Sequence, residues 1–182
     1  SICDNFASDF NVIFNAAKSK CLYIASRYSK ERHICFNVQP DFSIGGNQIE
    51  FVDHWPHLGH VISSNLDDAQ DISARRFSMI GQINAVLCYF ANIDCLNRAR
   101  LLRIYCSSFC GCELLDLWHC GLDQFCSSWR KGVRKAWRLP CNTHNNLLPA
   151  LCGSRSIRDE LCCRSLSFIS TCLRSDNVIV NT

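Results

Sequence analysis

The residues of this chain best suited to chemistry form two basic clusters and one acidic pair. Lys18 and Lys20 lie in a polar turn of the segment FNAAKSKCLYI, directly before an apolar run. In residues 130–138, five of nine side chains are basic and none is acidic. Asp67 and Asp68 are adjacent carboxylates. Since basic side chains attract phosphates and paired carboxylates can hold divalent cations, each cluster is a candidate site.

The larger basic cluster falls on a predicted helix with two distinct faces. At about 100° per residue, one face is apolar and carries Leu122, Phe125, Cys126, Trp129, Val133, Ala136 and Trp137. The other face carries Arg130, Lys131, Arg134, Lys135 and Arg138. We expect this second face to bind phosphates, because each neutralised phosphate releases a counterion. A solvated helix face is the alternative interpretation, and membrane-surface binding is disfavoured because the core needs the apolar face.

The acidic pair is better explained by a helix start than by a metal site. Asp67, Asp68 and Asp71 would place negative charge at the positive end of a helix dipole, with Ser64 or Asn65 as its cap. Nucleotidyl transfer needs two divalent ions held by carboxylates. The chain alone is therefore expected not to polymerise nucleotides.

Fifteen cysteines are present, an odd number. Most occupy positions where a small apolar residue would suit a helix or strand, so we expect reduced, buried thiols. The best metal candidates are Cys106, Cys110, Cys112, His119 and Cys120. Their spacing lacks the paired knuckles of a structural zinc site, and the sequence predicts no metal site here.

Short β-prone runs dominate the first third of the chain. We predict the tail of an amphipathic helix over residues 4–10 and strands over 12–14, 21–24, 34–36 and 58–62. A glycine turn at 45–47 would join 42–44 and 49–52 in a hairpin. These elements predict a small, largely antiparallel sheet.

The rest of the chain has helical periodicity, which makes the predicted fold class α+β. A long first helix would bury Ile72, Met79, Ile83, Val86 and Phe90 and break at residues 92–94. A second helix would begin near Cys95 and include Leu102, Tyr105 and Phe109. A third would follow Gly121 and end at Leu139 and Pro140, and a last helix would span 154–173.

The order of these segments resembles the reverse transcriptases of LINE-type, non-LTR retrotransposons. FNAAKSKC and IGGNQIEFVDHWPHLGH are similar to the last palm motifs of that family. RRFSMIGQINAVLCYF, RLLRIYCSSFCGCELLDLW and the basic helix are similar to its thumb and connection. The resemblance covers nearly the whole chain and implies a palm remnant at residues 1–64 and a helical, thumb-like region at 65–182. The chain departs from the family at residues 54–57, where a proline stands and a lysine is missing.

Roles for particular residues follow from this resemblance. It implies that Lys18 lies near the phosphates of the incoming nucleotide, and that His57, Gly59 and His60 support the primer end. Arg75 and Arg76 of the predicted thumb join the basic helix as candidate contacts to an RNA/DNA primer–template duplex. The metal-binding aspartates, and the Mg2+ they hold, would belong to a polymerase portion upstream of Ser1, so no cofactor is expected in this chain.

Two other classes of function remain open from the sequence. One is a decayed mobile-element relic that acts as a non-enzymatic interaction module, and the other is a cysteine-rich metal-binding module. No run approaches 18 apolar residues and the first residues lack a signal-peptide pattern. We therefore expect an intracellular protein without a membrane partner, present in nucleus and cytoplasm.

Overall fold

Helices and three small β-sheets make up the structure, which is compatible with the predicted α+β class. A computed structural model describes residues 2–24, 41–107, 109 and 111–176. The chain divides into two compact units, Ser1–Asp67 and Asp68–Thr182. The predicted strand at 34–36 lies outside the described residues. The assignment of the two regions to a palm remnant and a thumb stays a prediction.

The described residues of the first unit form one α-helix and six short strands. They are α1 (Ile2–Phe10), β1 (Lys20–Cys21), β2 (Ser43–Ile44), β3 (Asn47–Gln48), β4 (Glu50–Phe51), β5 (His54–His57) and β6 (His60–Ser63). β2 pairs with β3 and β5 with β6 in antiparallel fashion, whereas β1 and β4 are parallel. Pairing among the described strands is therefore largely antiparallel, as predicted, but these strands form three two-stranded sheets and not one sheet.

Residues 12–14 are not a strand, contrary to the prediction. Asn11 adopts a left-handed conformation with φ of 50°, and the Val12 N–H donates to the Ala7 carbonyl at 2.9 Å. This bond closes the C-terminus of α1 in a Schellman-type motif, for which asparagine is a suitable residue. The β-prone side chains at 12–14 thus follow a helix end instead of pairing.

Two hairpins have two-residue turns with positive φ at both positions, as in a type I′ turn. Gly45 and Gly46 have φ of 56° and 76° and join β2 to β3, which confirms a hairpin turn at the predicted glycines. The second strand of this hairpin is 47–48, whereas residues 50–51 of the predicted strand 49–52 form β4 and pair with β1. Leu58 and Gly59 have φ of 48° and 84° and join β5 to β6. The strand predicted from residue 58 therefore begins only at His60.

The described residues of the second unit form five α-helices. They are α2 (Ala69–Tyr89), α3 (Cys95–Cys106), α4 (Gly121–Ala136), α5 (Leu147–Cys152) and α6 (Ile157–Leu173). The four predicted helices are present, although α3 ends before Phe109. α5 was not predicted from the sequence, and it contains Pro149. That proline lies in the first turn, where a backbone N–H has no intrahelical acceptor to lose.

The start of α2 differs from the expected cap at Ser64 or Asn65. Asn65 Oδ1 accepts from the Asp67 N–H at 3.0 Å, in a turn before the helix. Asp68 occupies the N-cap position but makes no side-chain cap bond. Instead its Oδ2 accepts from the Asp116 N–H at 2.6 Å. Asp68 and Asp71 thus lie at the N-terminus of α2, as predicted, and Asp68 also ties α2 to the segment that precedes α4.

The main core lies in the second unit, where the helices bury their apolar faces. Its members include Ile72, Met79, Ile83, Val86, Leu102, Phe109, Leu122, Phe125, Val133, Leu148 and Leu161. The predicted apolar face of α2 is confirmed, with Phe90 partly buried at its end. Phe109 packs edge-on against Phe125 and Trp129, with ring centroids 5.7 Å and 6.1 Å away. None of the described helices is long and apolar enough to cross a membrane.

The cysteines are less uniformly buried than the sequence predicted. Cys106, Cys112 and Cys126 lie in the core, and burial raises the pKa of each thiol, for Cys106 to about 11. Four others are exposed, namely Cys88, Cys120, Cys141 and Cys163. Within the described part of the chain no group of three or more His, Cys, Asp or Glu is placed to hold a metal ion. Cys110 of the candidate zinc set lies outside the described residues.

We expect Cys106 to resist alkylation in the folded protein. Burial raises its pKa from 9.0 to about 11, so the fraction of reactive thiolate near neutral pH falls. At about pH 8 the folded protein should be alkylated at Cys106 about 100-fold more slowly than the urea-denatured chain. Peptide mapping by mass spectrometry measures both rates. Cys88, which is exposed, is the control and should react readily in both states. Similar rates for native and denatured Cys106 would contradict its burial.

Candidate nucleic-acid interface

The predicted two-faced helix corresponds to α4. Its buried residues are Leu122, Phe125, Cys126, Gly132, Val133 and Ala136, which confirms the predicted apolar face. Trp129 is half-buried and contacts the core. The packing of this face fixes which side of α4 is left for solvent. The basic side chains must therefore be considered one by one.

Lys131 and Lys135 are the two exposed basic residues within α4. They stand one helical turn apart, so their side chains project from the same side of the helix. Arg130 is half-buried and lines a cavity next to the helix. Lys131 and Lys135 thus present the positive charge of α4 to solvent.

Arg134 is committed to contacts within the chain. Its guanidinium donates to the Thr143 carbonyl at 3.2 Å and 2.8 Å, and to Asn145 Oδ1 at 2.5 Å. These bonds hold the segment between α4 and α5 against the last turns of α4. The sequence analysis treated Arg134 as open to phosphate, whereas the structure gives it a positioning role.

Arg138 lies beyond the end of α4 and does not continue its basic face. Its φ is 54°, the Leu139 N–H donates to the Arg134 carbonyl at 2.8 Å, and the Arg138 N–H donates to the Lys135 carbonyl at 3.2 Å. These bonds form a Schellman motif, which ends α4 at Ala136, three residues before the predicted stop at Leu139. Arg138 Nη2 donates to the Ala91 carbonyl at 3.3 Å. The five basic residues therefore do not form one continuous helical surface.

Arg75 and Arg76 of α2 also make contacts within the second unit. Arg75 Nε lies 3.1 Å from Oδ2 of the buried Asp71, in an ion pair. Arg76 donates to Ser128 Oγ at 3.0 Å and to Gln124 Oε1 at 2.8 Å. Arg76 thus links α2 to α4, and both arginines contribute to helix packing.

Lys18 and Lys20, in the lysine turn of the first unit, have different surroundings. Asn15 Oδ1 accepts from the Lys18 N–H at 3.1 Å and shapes a short 3-10 turn at Ala16–Lys18, where Lys18 is exposed. Lys20 Nζ lies 2.5 Å from Glu50 Oε2 and 5.5 Å from the ring centroid of Trp55. Lys20 therefore stabilises the β1–β4 pair, whereas Lys18 extends into solvent. The catalytic role of Lys18 stays a prediction.

His57, Gly59 and His60 come together at the turn between β5 and β6. His57 is exposed, and it pairs across the two strands with the half-buried His60. A Cβ built at Gly59 would meet no atom of the described residues within 4 Å. The glycine is needed here for its φ of 84°, not for close approach by another part of the chain. Primer support by these three residues stays a prediction.

Sequence analysis missed a group of arginines on the other side of α4. Arg155 and Arg158 lie at the start of α6 and line, together with Arg130, a cavity of about 240 Å³ between α4, α5 and α6. They follow Arg130 by 25 and 28 residues, so no local pattern joins them. One signal is visible in hindsight: residues 124–158 hold seven basic side chains and no acidic one.

Comparison of this chain with family models, curated proteins and solved structures gave no match. The resemblance to retrotransposon reverse transcriptases therefore rests on the order of the motifs in the sequence. The geometry of the two units supplies independent evidence about which basic residues are open to a ligand. Among the basic residues predicted to contact the duplex, Lys131 and Lys135 on α4 and Lys18 in the first unit are exposed and are not held by another side chain of the described residues.

Proposed function

We propose that the second unit binds the sugar–phosphate backbone of an RNA/DNA primer–template duplex as the thumb-like part of a larger RNA-directed DNA polymerase. The observation that supports this function is the exposed pair Lys131 and Lys135 on α4. The opposite face of that helix is buried, so α4 holds the two charges on a rigid support. In this proposal the chain positions the duplex and does not itself carry out nucleotidyl transfer.

Charge distribution favours phosphate as the ligand of this lysine pair. In a chain with net charge +3, residues 68–182 hold fourteen basic and nine acidic side chains, and residues 124–158, the stretch of sequence around the pair, contain no carboxylate. Lysine binds phosphate as a point charge and does not read base edges. We therefore expect binding without sequence preference and with strong dependence on salt.

Lys18 is the residue of the predicted palm remnant that we include in the proposed function. Because Lys20 is held by Glu50, Lys18 is the lysine of this turn that can reach a phosphate outside the chain. We assign it to neutralising charge near the incoming nucleotide in the intact polymerase.

The salt dependence of duplex binding tests the role of the lysine pair. For the full chain and a fluorescent RNA/DNA hybrid, we expect Lys131→Ala/Lys135→Ala to reduce the slope of log K against log salt by about 2, one for each lost phosphate contact. Fluorescence anisotropy over a salt series gives the slope. The lost counterion release is the physical reason for the change.

A charge-matched control distinguishes the effect of the lysine pair from the effect of lowering the net charge of the chain. Arg100→Ala/Arg174→Ala removes two exposed charges elsewhere in the second unit and should leave the slope nearly unchanged. If both double variants lower the slope equally, binding is a property of net charge. If neither changes it, the lysine pair does not contact the duplex and the proposed function is wrong.

A further inference from the structure

The cavity between α4, α5 and α6 combines an apolar wall with a strongly basic rim. Its volume is about 240 Å³. Four of its lining residues, Cys126, Val133, Leu148 and Ile157, are buried members of the core. The charged lining residues are Arg130, Arg155, Arg158 and Asp123. A site of this composition can hold a small molecule that has both an apolar part and a negative charge.

The charged side chains that line the cavity have a net positive charge. Arg158 Nη2 donates to Asp123 Oδ1 at 2.7 Å, so this acidic residue has a partner. Arg130 and Arg155 form no hydrogen bond or ion pair with any residue in the described ranges. With three arginines and one aspartate, the lining carries a formal charge of +2. Guanidinium groups that share one cavity repel each other, and a bound anion would relieve that repulsion.

Two further features are consistent with an anion. Cys126, Arg130 and Arg158 all line the cavity; burial raises the pKa of the Cys126 thiol, and the charges of Arg158 and Arg130 partly offset that rise. α6 begins at the cavity, with Ser156 as its N-cap and Ser154, Arg155 and Ile157 in the lining. The positive end of this 17-residue helix adds to the field of the arginines.

Size and charge together define the class of ligand. Pockets for drug-sized ligands have volumes of about 300 to 1,000 Å³, and this cavity is somewhat smaller. A phosphomonoester carries close to two negative charges and offers three acceptor oxygens, which suits the forked donors of two arginines. A short carbon skeleton would contact Leu148 and Pro149 of α5.

We propose that this cavity binds a terminal phosphomonoester attached to a sugar. Such a group can come from a free sugar phosphate or from the phosphorylated end of a nucleic-acid strand. The phosphate would lie between Arg130 and Arg155, and the sugar against the apolar wall. This site goes beyond the proposed function, because that function uses the internal phosphates of a duplex and the lysines on another side of α4.

Isothermal titration calorimetry on the full chain tests the proposal with ribose 5-phosphate and with ribose. We expect one equivalent of ribose 5-phosphate to bind, at least about ten-fold more tightly than ribose, because hydrogen bonds to charged groups add affinity of this order. Arg155→Ala should weaken binding about ten-fold without unfolding the chain, since Arg155 is exposed. Arg130→Ala/Arg155→Ala should weaken it further, with circular dichroism as the check on folding.

Matched variants distinguish this site from the lysine pair. Matched ligands show whether the bound phosphate comes from a strand end or from a free sugar phosphate. Lys131→Ala/Lys135→Ala should leave the affinity for ribose 5-phosphate unchanged, even if duplex binding is lost. Tighter binding of a 5′-phosphorylated oligonucleotide than of its 5′-hydroxyl form supports the proposal with a strand end as the ligand. Equal binding of the two strands, with ribose 5-phosphate still bound, supports it with a free sugar phosphate. Equal affinity for ribose and ribose 5-phosphate, or an unchanged affinity in Arg155→Ala, would overturn it.

Discussion

Arg98→Ala is expected to destabilise the second unit by about 2 to 4 kcal/mol, because three carbonyl acceptors lose a charged donor. Arg98 lies on α3 and is only 4% exposed. Its Nε donates to the Phe90 carbonyl at 3.2 Å, and its Nη2 donates to the carbonyls of Ala91 and Ile93 at 2.6 Å and 2.7 Å. One guanidinium thus supplies hydrogen bonds to three backbone carbonyls of the turn that joins α2 to α3.

The helix dipole adds to the effect of these hydrogen bonds. Phe90 is the C-cap of α2, where unpaired carbonyls concentrate negative charge. A cation placed at a helix C-terminus stabilises it by about 0.3 to 2 kcal/mol, and more in a partly buried site than on the surface. Ala91 is exposed and its carbonyl also accepts from Arg138 Nη2 at 3.3 Å, so water and Arg138 can replace the lost donor and the expected loss stays below the full sum. Arg98 therefore acts as a buried C-terminal cap supplied by the next helix.

Arg100→Ala is the matched control, since Arg100 is an exposed arginine on the same helix. It should change the free energy of unfolding by no more than about 0.5 kcal/mol. Arg98→Lys keeps the charge but loses the forked donors of the guanidinium, so we expect a loss of stability between those of the two alanine variants. Urea unfolding followed by tryptophan fluorescence reports on this unit, because Trp118, Trp129 and Trp137 all belong to it. Equal stabilities of Arg98→Ala and Arg100→Ala would show that the carbonyls do not need the guanidinium.

The role of Arg98 illustrates what the sequence could and could not predict. Helical periodicity correctly assigns Ile72, Met79 and Ile83 to the buried face of α2, because a face depends only on local spacing. The partner of an arginine depends on tertiary contacts instead. Arg76 and Arg134 look like solvent-exposed charges in the sequence, yet each is bound to side chains or carbonyls elsewhere in the unit.

Strand pairing was predicted less well than the helices, for a similar physical reason. The β2–β3 hairpin has a local signal, since Gly45 and Gly46 favour its turn. Lys20 and Glu50 pair in a parallel ladder across 30 residues, and no short-range pattern specifies that contact. The arginine-lined cavity is non-local in the same way, because Arg130 and Arg155 are brought together only by the packing of α4 against α5 and α6.

Gly132→Ala is expected to destabilise the second unit by about 1 to 2 kcal/mol, although alanine is normally the better helix former. Gly132 is buried in α4, where it faces α2. A Cβ at this position would lie 2.8 Å from Ile83 Cδ1 and 3.0 Å from Ile83 Cγ2. Ile83 is 4% exposed and β-branched, so its side chain has little freedom to move away. The clash therefore outweighs the gain of about 1 kcal/mol from the higher helix propensity of alanine.

Gly81→Ala distinguishes the effect of helix propensity from the effect of the clash. Gly81 lies in the interior of α2, and a Cβ there meets no described atom within 4 Å. This variant should gain about 0.5 to 1 kcal/mol, measured by the same urea unfolding. Ile83→Val removes the Cδ1 that lies nearest to the added methyl group. In a double-mutant cycle it should partly rescue Gly132→Ala, so that the double variant is more stable than the sum of the single losses predicts. A gain in stability for Gly132→Ala alone would mean that α2 and α4 can separate slightly without loss. In that case the fixed orientation of α4, on which the exposure of Lys131 and Lys135 depends, would need another cause.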